Sequence, residues 1–498
     1  MGKSKNIPFL LLVFGVLLAF AHSYLIGWHN VSVDVGALRY FALRLDWADP
    51  TSFHNGFYPS FSIFLVKVVG PKHWSLVGTI LSNILLGYSL LISYKLIQHY
   101  LRNAHAAIIA TLILAISPGF FSVFTSAMPD SIMVALFISG LYAVLCKQHW
   151  FLGGLLLGLA ASTRYHGLLL ACLSFVLFLH PSNKYLRAGW FFILGFLIIY
   201  SQQMIFSWMA TGNVFSNDQL YNIFKTFYRN DIGDASQLQL PNSLLGVITH
   251  NSGVFWPKYW TILQSKAIYI LLPAVAALLL KEHRAFLLRI SLLIGLYIGI
   301  ASLGGSPRMY APIAVLIAIV LGFIYKCISL EWLRIGLALV LFHFLCLENV
   351  LALSVQRQNQ RANETIKLSM LKLNPSVRRE AIFSSYYDYT WEDIPGLIGY
   401  GTERAWLRHG DKWFAKNFEA PKLNSSAHNF YQYCRRNKIE FTILNKAKIG
   451  PVLYQEIQNS SEFRLLAKIP VTRPRMTHRY QILSKQFDEI YVFLVLDN

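Results

Sequence analysis

Two aspartates and two arginines stand out because each borders or interrupts a long apolar run. Asp34 lies in "SVDVGALRYFALRLDW", Asp130 in "TSAMPDSIMVALF", Arg164 in "GLLLGLAASTRYHGLLL" and Arg308 in "LGGSPRMYAPIAVL". A carboxylate within hydrogen-bond reach of a hydroxyl takes its proton as the oxygen attacks an electrophilic carbon. Guanidinium groups match phosphate oxygens in bidentate fashion and stabilise a phosphate leaving group. The set therefore suits attack by a hydroxyl on a sugar carbon activated by phosphate. Asp34 is the candidate general base, and Asp130 a second catalytic carboxylate that positions the acceptor or assists. Arg164 and Arg308 are the candidate ligands of the donor phosphate. Arg39, Tyr58, Lys67, His166 and Tyr310 lie near them and are candidates to line a substrate groove. Each of the four charges also has a bland reading: a helix cap for Asp34 and Asp130, snorkelling for Arg164, an interface anchor for Arg308. Chemistry gains weight only if the chain brings all four to one face.

The medium that decides this is a membrane. The 498 residues are 55% hydrophobic and only 14% charged, with mean hydropathy +0.44, whereas a soluble domain carries about 25% charged residues. The formal net charge of +20 would suit nucleic acid, but Lys and Arg are scattered between apolar runs, with no block and no nucleic-acid motif. They read as topology signals and as attraction to anionic lipid or phosphate. The five cysteines, Cys146, Cys172, Cys327, Cys346 and Cys434, form no CxxC, so neither a disulfide framework nor a zinc site is supported.

Apolar segments near the length needed to span hydrocarbon, about 17–25 residues, run at roughly 7–26, 74–94, 104–124, 128–146, 148–163, 165–181, 186–210, 265–280, 286–303, 307–325 and 332–353. The first resembles a signal peptide, but with so many spans behind it an uncleaved signal anchor is expected. The stretch "FYPSFSIFLVKVVG" (57–70) is too short to cross and reads as a re-entrant or surface helix. If it does not cross, one set of short loops holds Lys95, Arg102, Lys147, Lys184, Arg187, Lys281, Arg284, Lys326 and Arg334, while the opposite short turns hold little beyond Arg164 and Arg308. That satisfies the positive-inside rule; a crossing would reverse it along most of the chain. The expected fold is thus an α-helical polytopic membrane protein with about eleven transmembrane helices and its N-terminus inside. All four candidate charges then share the outer face.

Two surface segments and a tail complete this organisation. After Asp34, Leu38, Phe41, Ala42 and Leu45 form a helical stripe. Residues 1–353 are expected to form the transmembrane domain, with outer loops at 27–73 and 211–264. Beyond 354 the composition turns charged and mixed. "EAIFSSYY" and "EFTILN" read as strands, "AHNFYQYCRRNK" as a helix, and "RYQILSKQFDEIYVFLVLDN" as two terminal strands, giving a small extracytoplasmic α/β domain over 354–498. In it Tyr387, Tyr389 and Trp391 of "YYDYTWEDIPG" either stack on a glycan or pack an ordinary turn. Sequons at Asn30, Asn363, Asn424 and Asn459 all fall on the outer side.

The order of these features resembles the GT-C membrane glycosyltransferases, in particular the protein O-mannosyltransferase and aminoarabinose-transferase-like group. The resemblance rests on "VDVGALRYFALRL", "NGFYPSFSIFLVKVVG", "SPGFFSVFTSAMPDSIMVALF", "WFLGGLLLGLAASTRYHGLLL" and "SPRMYAPIAVL", in that order over about residues 7–330. It implies an inverting transferase that takes a sugar from a polyprenyl-phosphate donor, with a lipid, glycan or protein as acceptor. It matches Asp34 to the catalytic acid of the first outer loop, Asp130 to that of the second, and Arg308 to the late arginine near the donor phosphate. Arg164 matches a basic residue common after the "GLLLGLA" run. Val35 follows Asp34 where many members carry a second acid, so no metal and no cofactor is expected. The cell inner membrane is implied for a bacterial chain and the endoplasmic reticulum for a eukaryotic one. A polytopic transporter or lipid-linked glycan flippase is the alternative; it would place ionisable groups near the midplane and show paired halves. A transferase acting on diphosphate-linked glycans is a third reading.

Overall fold

The computed structural model describes residues 6–26, 35, 38, 41–42, 45–54, 58–71, 73–178, 183–215, 219–228, 241, 243–304, 307–373, 382–384, 426–436, 441–445, 451–476 and 482–496. Among these, the helices are α1 (Ile7–Ile26), α2 (Ser60–Val69), α3 (Trp74–Leu101), α4 (Ala104–Ala115), α5 (Pro118–Ser122), α6 (Pro129–Leu145), α7 (Trp150–Thr163), α8 (Tyr165–Phe178), α9 (Asn183–Thr211), α10 (Gln219–Phe227), α11 (Leu244–His250), α12 (Ser252–Gln264), α13 (Ala267–Leu279), α14 (Arg284–Gly304), α15 (Ala314–Cys327) and α16 (Glu331–Leu373). Among the described residues six stretches are long and apolar enough to cross a membrane: Ile7–Ile26, Trp74–Leu101, Ala188–Thr211, Lys281–Gly304, Arg308–Cys327 and Glu331–Ser354. A seventh arises if α12 and α13, bent by 51° at their junction, act as one span. The other four apolar segments read from the sequence also fold as helices, α4, α6, α7 and α8, each of 12 to 17 residues.

Packing explains how short helices remain ordered. Where α7 crosses α9, a Cβ added at Gly154 would run into the carbonyl oxygen of Phe192, and one at Gly195 into that of Phe151. Small residues thus let the two backbones touch, the usual device for helix association in lipid. Exposed Trp190 and Trp208 stand near the two ends of α9. They are separated by about 27 Å along the axis, close to the ~30 Å hydrocarbon thickness whose borders favour amphipathic rings.

Within the segment 57–70 the described residues form only a short helix. This helix, α2, has ten residues and is about 15 Å long, half of what a crossing needs. It ends at Gly70, whose φ of 94° is one that glycine adopts without steric cost. The stripe residues Leu38, Phe41, Ala42 and Leu45 are all buried, in a cluster with Val35, Tyr58, Ile63, Val66, Trp74, Ala127 and Met128. Residues 35, 38, 41 and 42 are helical.

The C-terminal elements are β1 (Ile382–Ser384), α17 (Ala427–Arg436), β2 (Phe441–Asn445), α18 (Pro451–Asn459), β3 (Phe463–Met476) and β4 (Ile482–Val495). They form a four-stranded sheet in the order β1-β2-β4-β3, with β1 parallel to β2 and the other pairs antiparallel. One expectation is corrected here: residues 482–495 form a single strand, not two. The polar stretch that looked like a break is carried by its ladder with β3, in which Gln486 pairs Arg473 and Asp488 pairs Val471. Strand β3 itself was missed, because Pro470 and Pro474 argue against a strand interior. It lies at the sheet edge, where a missing N–H is tolerated. Tyr387, Tyr389 and Trp391 lie outside the described residues.

Candidate active site

The ends of α6, α7 and α8 meet beneath α2. Asp130 enters on the first turn of α6, set by Pro129 at the helix start. The preceding turn is pinned from both sides. Trp74 Nε1 donates to Ala127 O at 3.0 Å, Ser131 Oγ donates to Met128 O at 2.9 Å, and the Ser131 and Ser82 hydroxyls lie 2.8 Å apart. Arg164 breaks the helix between α7 and α8 with extended backbone (φ −149°, ψ 139°). That break turns its side chain toward α6.

The result is a buried ionic knot. Arg164 donates through Nε at 3.1 Å and through Nη2 at 2.7 Å, both to Asp130 Oδ2. Asp130 is 1% exposed. Its second oxygen, Oδ1, is buried without a hydrogen-bond partner among the described residues, and so is His166 Nε2, which faces it at 3.8 Å. The Arg164 guanidinium also lies 4.8 Å from the centroid of the Tyr58 ring, a cation–π contact. Arg308, in the 3₁₀ turn Pro307–Ile313 that leads into α15, brings Nη1 to 4.0 Å from Met128 Sδ. Its charge acts on both Asp130 and His166. Two guanidinium groups and one carboxylate thus stand close together at this site. Guanidinium groups match the oxygens of an anion.

Tyr310 stands to one side of this knot. Its hydroxyl lies 3.0 Å from Ser302 Oγ, and Lys266 Nζ sits 4.9 Å from its ring centroid. The Tyr297 hydroxyl donates to Met309 O and holds the same turn against α14. Lys67 occupies the last turn of α2, the end far from Tyr58, and no contact joins it to the knot among the described residues. Asp34 and Arg39 lie outside the described residues; Val35, next to Asp34, is buried with Tyr58 and Met128. Among the described residues no three His, Cys, Asp or Glu side chains are placed to hold a metal ion.

Two residues here escaped the sequence reading. Lys266 lies at the junction of the bent pair α12 and α13; its signal is a cation at the very start of an apolar run. Gln203 accepts from the Ser60 N–H at 2.6 Å; its signal is the amide pair "QQ" inside the apolar run 186–210.

No family model and no curated protein matches the sequence. Solved structures do. ArnT from Cupriavidus metallidurans, determined bound to undecaprenyl phosphate, superposes with a TM-score of 0.56 over 98% of this chain and 98% of that one, at 13% identity. The chain shares the fold of that structure. Two further structures are less similar: the apo oligosaccharyltransferase of Archaeoglobus fulgidus, with a TM-score of 0.48 and 12% identity over 89% of this chain and 70% of that one, and the mycobacterial arabinofuranosyltransferase AftD, with a TM-score of 0.39 and 12% identity over 100% and 40%.

Proposed function

We propose that this protein is an integral membrane glycosyltransferase that moves a sugar from a polyprenyl-phosphate donor to a lipid, glycan or protein acceptor, with inversion. The observation that carries this reading is the convergence of Asp130, Arg164, His166, Tyr58 and Arg308 at the ends of several helices, on a fold shared along its whole length with a protein bound to undecaprenyl phosphate. The two guanidinium groups suit a lipid phosphate, and neighbouring apolar helices suit its tail. Asp34 is the general base that takes the acceptor proton as its oxygen attacks the anomeric carbon. The phosphate leaves with the electron pair of the broken bond, held by Arg308 and Arg164. Asp130 holds Arg164 in place and keeps Oδ1 for a substrate hydroxyl. Residues 1–353 form the catalytic domain and 354–498 an extracytoplasmic domain.

Donor consumption by purified protein across a panel of polyprenyl-monophosphate sugars, wild type against Asp34→Asn, tests this. One donor turns over, and the variant loses at least about 10²-fold in rate. Full transfer by Asp34→Asn would remove that residue from the chemistry. Substrate crossing in proteoliposomes without a covalent product would replace the transferase by a transporter.

A further inference from the structure

The short helix α2 presents a problem at its start. Its N-cap is Pro59, which supplies no side-chain acceptor, yet Ser60 is buried. A buried N–H at a helix start needs a partner. It finds one far away in the chain, in the side chain of Gln203 on α9, whose Oε1 accepts at 2.6 Å. Gln203 is itself buried, in a helix otherwise apolar enough to span a membrane. A second tie lies two residues on, where Ser62 Oγ donates to Thr163 O, the last carbonyl before Arg164. Phe53 stacks on Phe206 of α9 at 4.8 Å and holds the preceding turn to the same helix. Tyr58, two residues before Ser60, is the ring on which Arg164 rests.

We infer that Gln203 is a positioning residue: by capping α2 from within the membrane it seats Tyr58 on Arg164, and so sets the direction of that guanidinium at the site. This inference rests on the transferase reading for its effect on rate, but not for the contact itself. An amide is a costly choice in an apolar span unless it makes a hydrogen bond that lipid or an aliphatic chain cannot make. Glutamate keeps the acceptor and leucine or methionine removes it. Ser60→Pro removes the donor instead. Proline suits the first position of a helix, and Pro59 already has the extended backbone (φ −60°, ψ 153°) that a residue before proline adopts.

The test is hydrogen exchange of residues 58–70 in the purified, detergent-solubilised protein, together with donor kinetics. Gln203→Leu and Ser60→Pro are expected to raise amide exchange in that segment and to lower kcat/KM by about tenfold, the scale on which small misplacements act. Gln203→Glu, which in this buried place would be neutral and still offer a carbonyl acceptor, is expected to restore both to near wild type, which a loss of packing alone would not allow. Their double variant, Gln203→Leu with Ser60→Pro, is expected to be no worse than either single change. Unchanged exchange would overturn the clamp. Raised exchange with unchanged kinetics would overturn the positioning role. If Gln203→Leu fails to accumulate, Gln203→Met and Ser60→Pro read the same contact. Wild-type protein inactive with every donor would instead count against the transferase reading, and exchange would still decide the clamp.

Discussion

Two acid–base pairs in this molecule have nearly the same length and opposite circumstances. Arg164 Nη2 lies 2.7 Å from Asp130, and His428 Nδ1 on α17 lies 2.6 Å from Glu462 in the C-terminal sheet domain. The Asp130 side chain is 1% exposed and that of Arg164 10%, whereas that of His428 is 63% exposed. Distance therefore says little about what each pair does. The outer pair is open to water on its imidazole side, although the Glu462 side chain is only 16% exposed, and is worth about 1 kcal/mol or less. The inner pair has no water to fall back on. Either charge alone would be a heavy liability, so the two are retained or lost together. Such a pair is a poor device for stability and a good one for fixing direction.

Three sets of substitutions would break or sharpen that contrast. The largest effect is expected for Arg164→Met, which strands the Asp130 carboxylate in the interior. It should cost about 3–5 kcal/mol, read as a fall in the unfolding midpoint of detergent-solubilised protein. Adding Asp130→Leu should recover much of the loss, because a matched apolar pair replaces a stranded charge. A single variant as stable as wild type would mean that the knot is wetter than its burial indicates.

A middle effect is expected at His166, which faces the Oδ1 lobe of the same carboxylate. At 3.8 Å the two groups make no hydrogen bond, so His166→Leu removes only a weak polar contact and should cost about 1 kcal/mol. His166→Gln keeps an N–H within reach and should cost less than half as much. Equal losses in the two would show that shape, not polarity, is what His166 supplies.

The smallest is His428→Ala, expected to shift stability by less than about 1 kcal/mol. Cys434, on the same helix, gives the readout. Burial disfavours its thiolate and pushes the thiol above its ordinary range, so native protein should label slowly at pH 8 while the exposed Cys327 labels fast. Rapid labelling of Cys434 in His428→Ala would contradict the surface-pair estimate.

The contrast also marks what was legible in the sequence. The shortness of the helix within 57–70 and the buried stripe Leu38, Phe41, Ala42 and Leu45 follow from local period and length, and both are present in the fold. The meeting of Asp130 with Arg164 was foreshadowed by topology, since alternation of spans puts both on one face. The manner of meeting was not, because the helix break at Arg164 and the pairing to a single oxygen are set by packing between distant segments. Gln203 and Ser60 are far apart in the chain, and no local pattern announces such a contact. Strand β3 failed for the converse reason: its local signal, two prolines, was overruled by an edge position that only the sheet order reveals.

Helix α16 runs unbroken from Glu331 to Leu373, 43 residues or about 64 Å, and its apolar portion ends near Ser354. Its second half is therefore a stalk whose phase is fixed by that of the spanning half. A single residue deleted between 355 and 373 would turn whatever follows through about 100° while shortening the stalk by only ~1.5 Å. Seven inserted residues would lengthen it by ~10 Å and leave the azimuth almost unchanged. Length and heading of the stalk can thus be altered separately, one by heptads and the other by single residues.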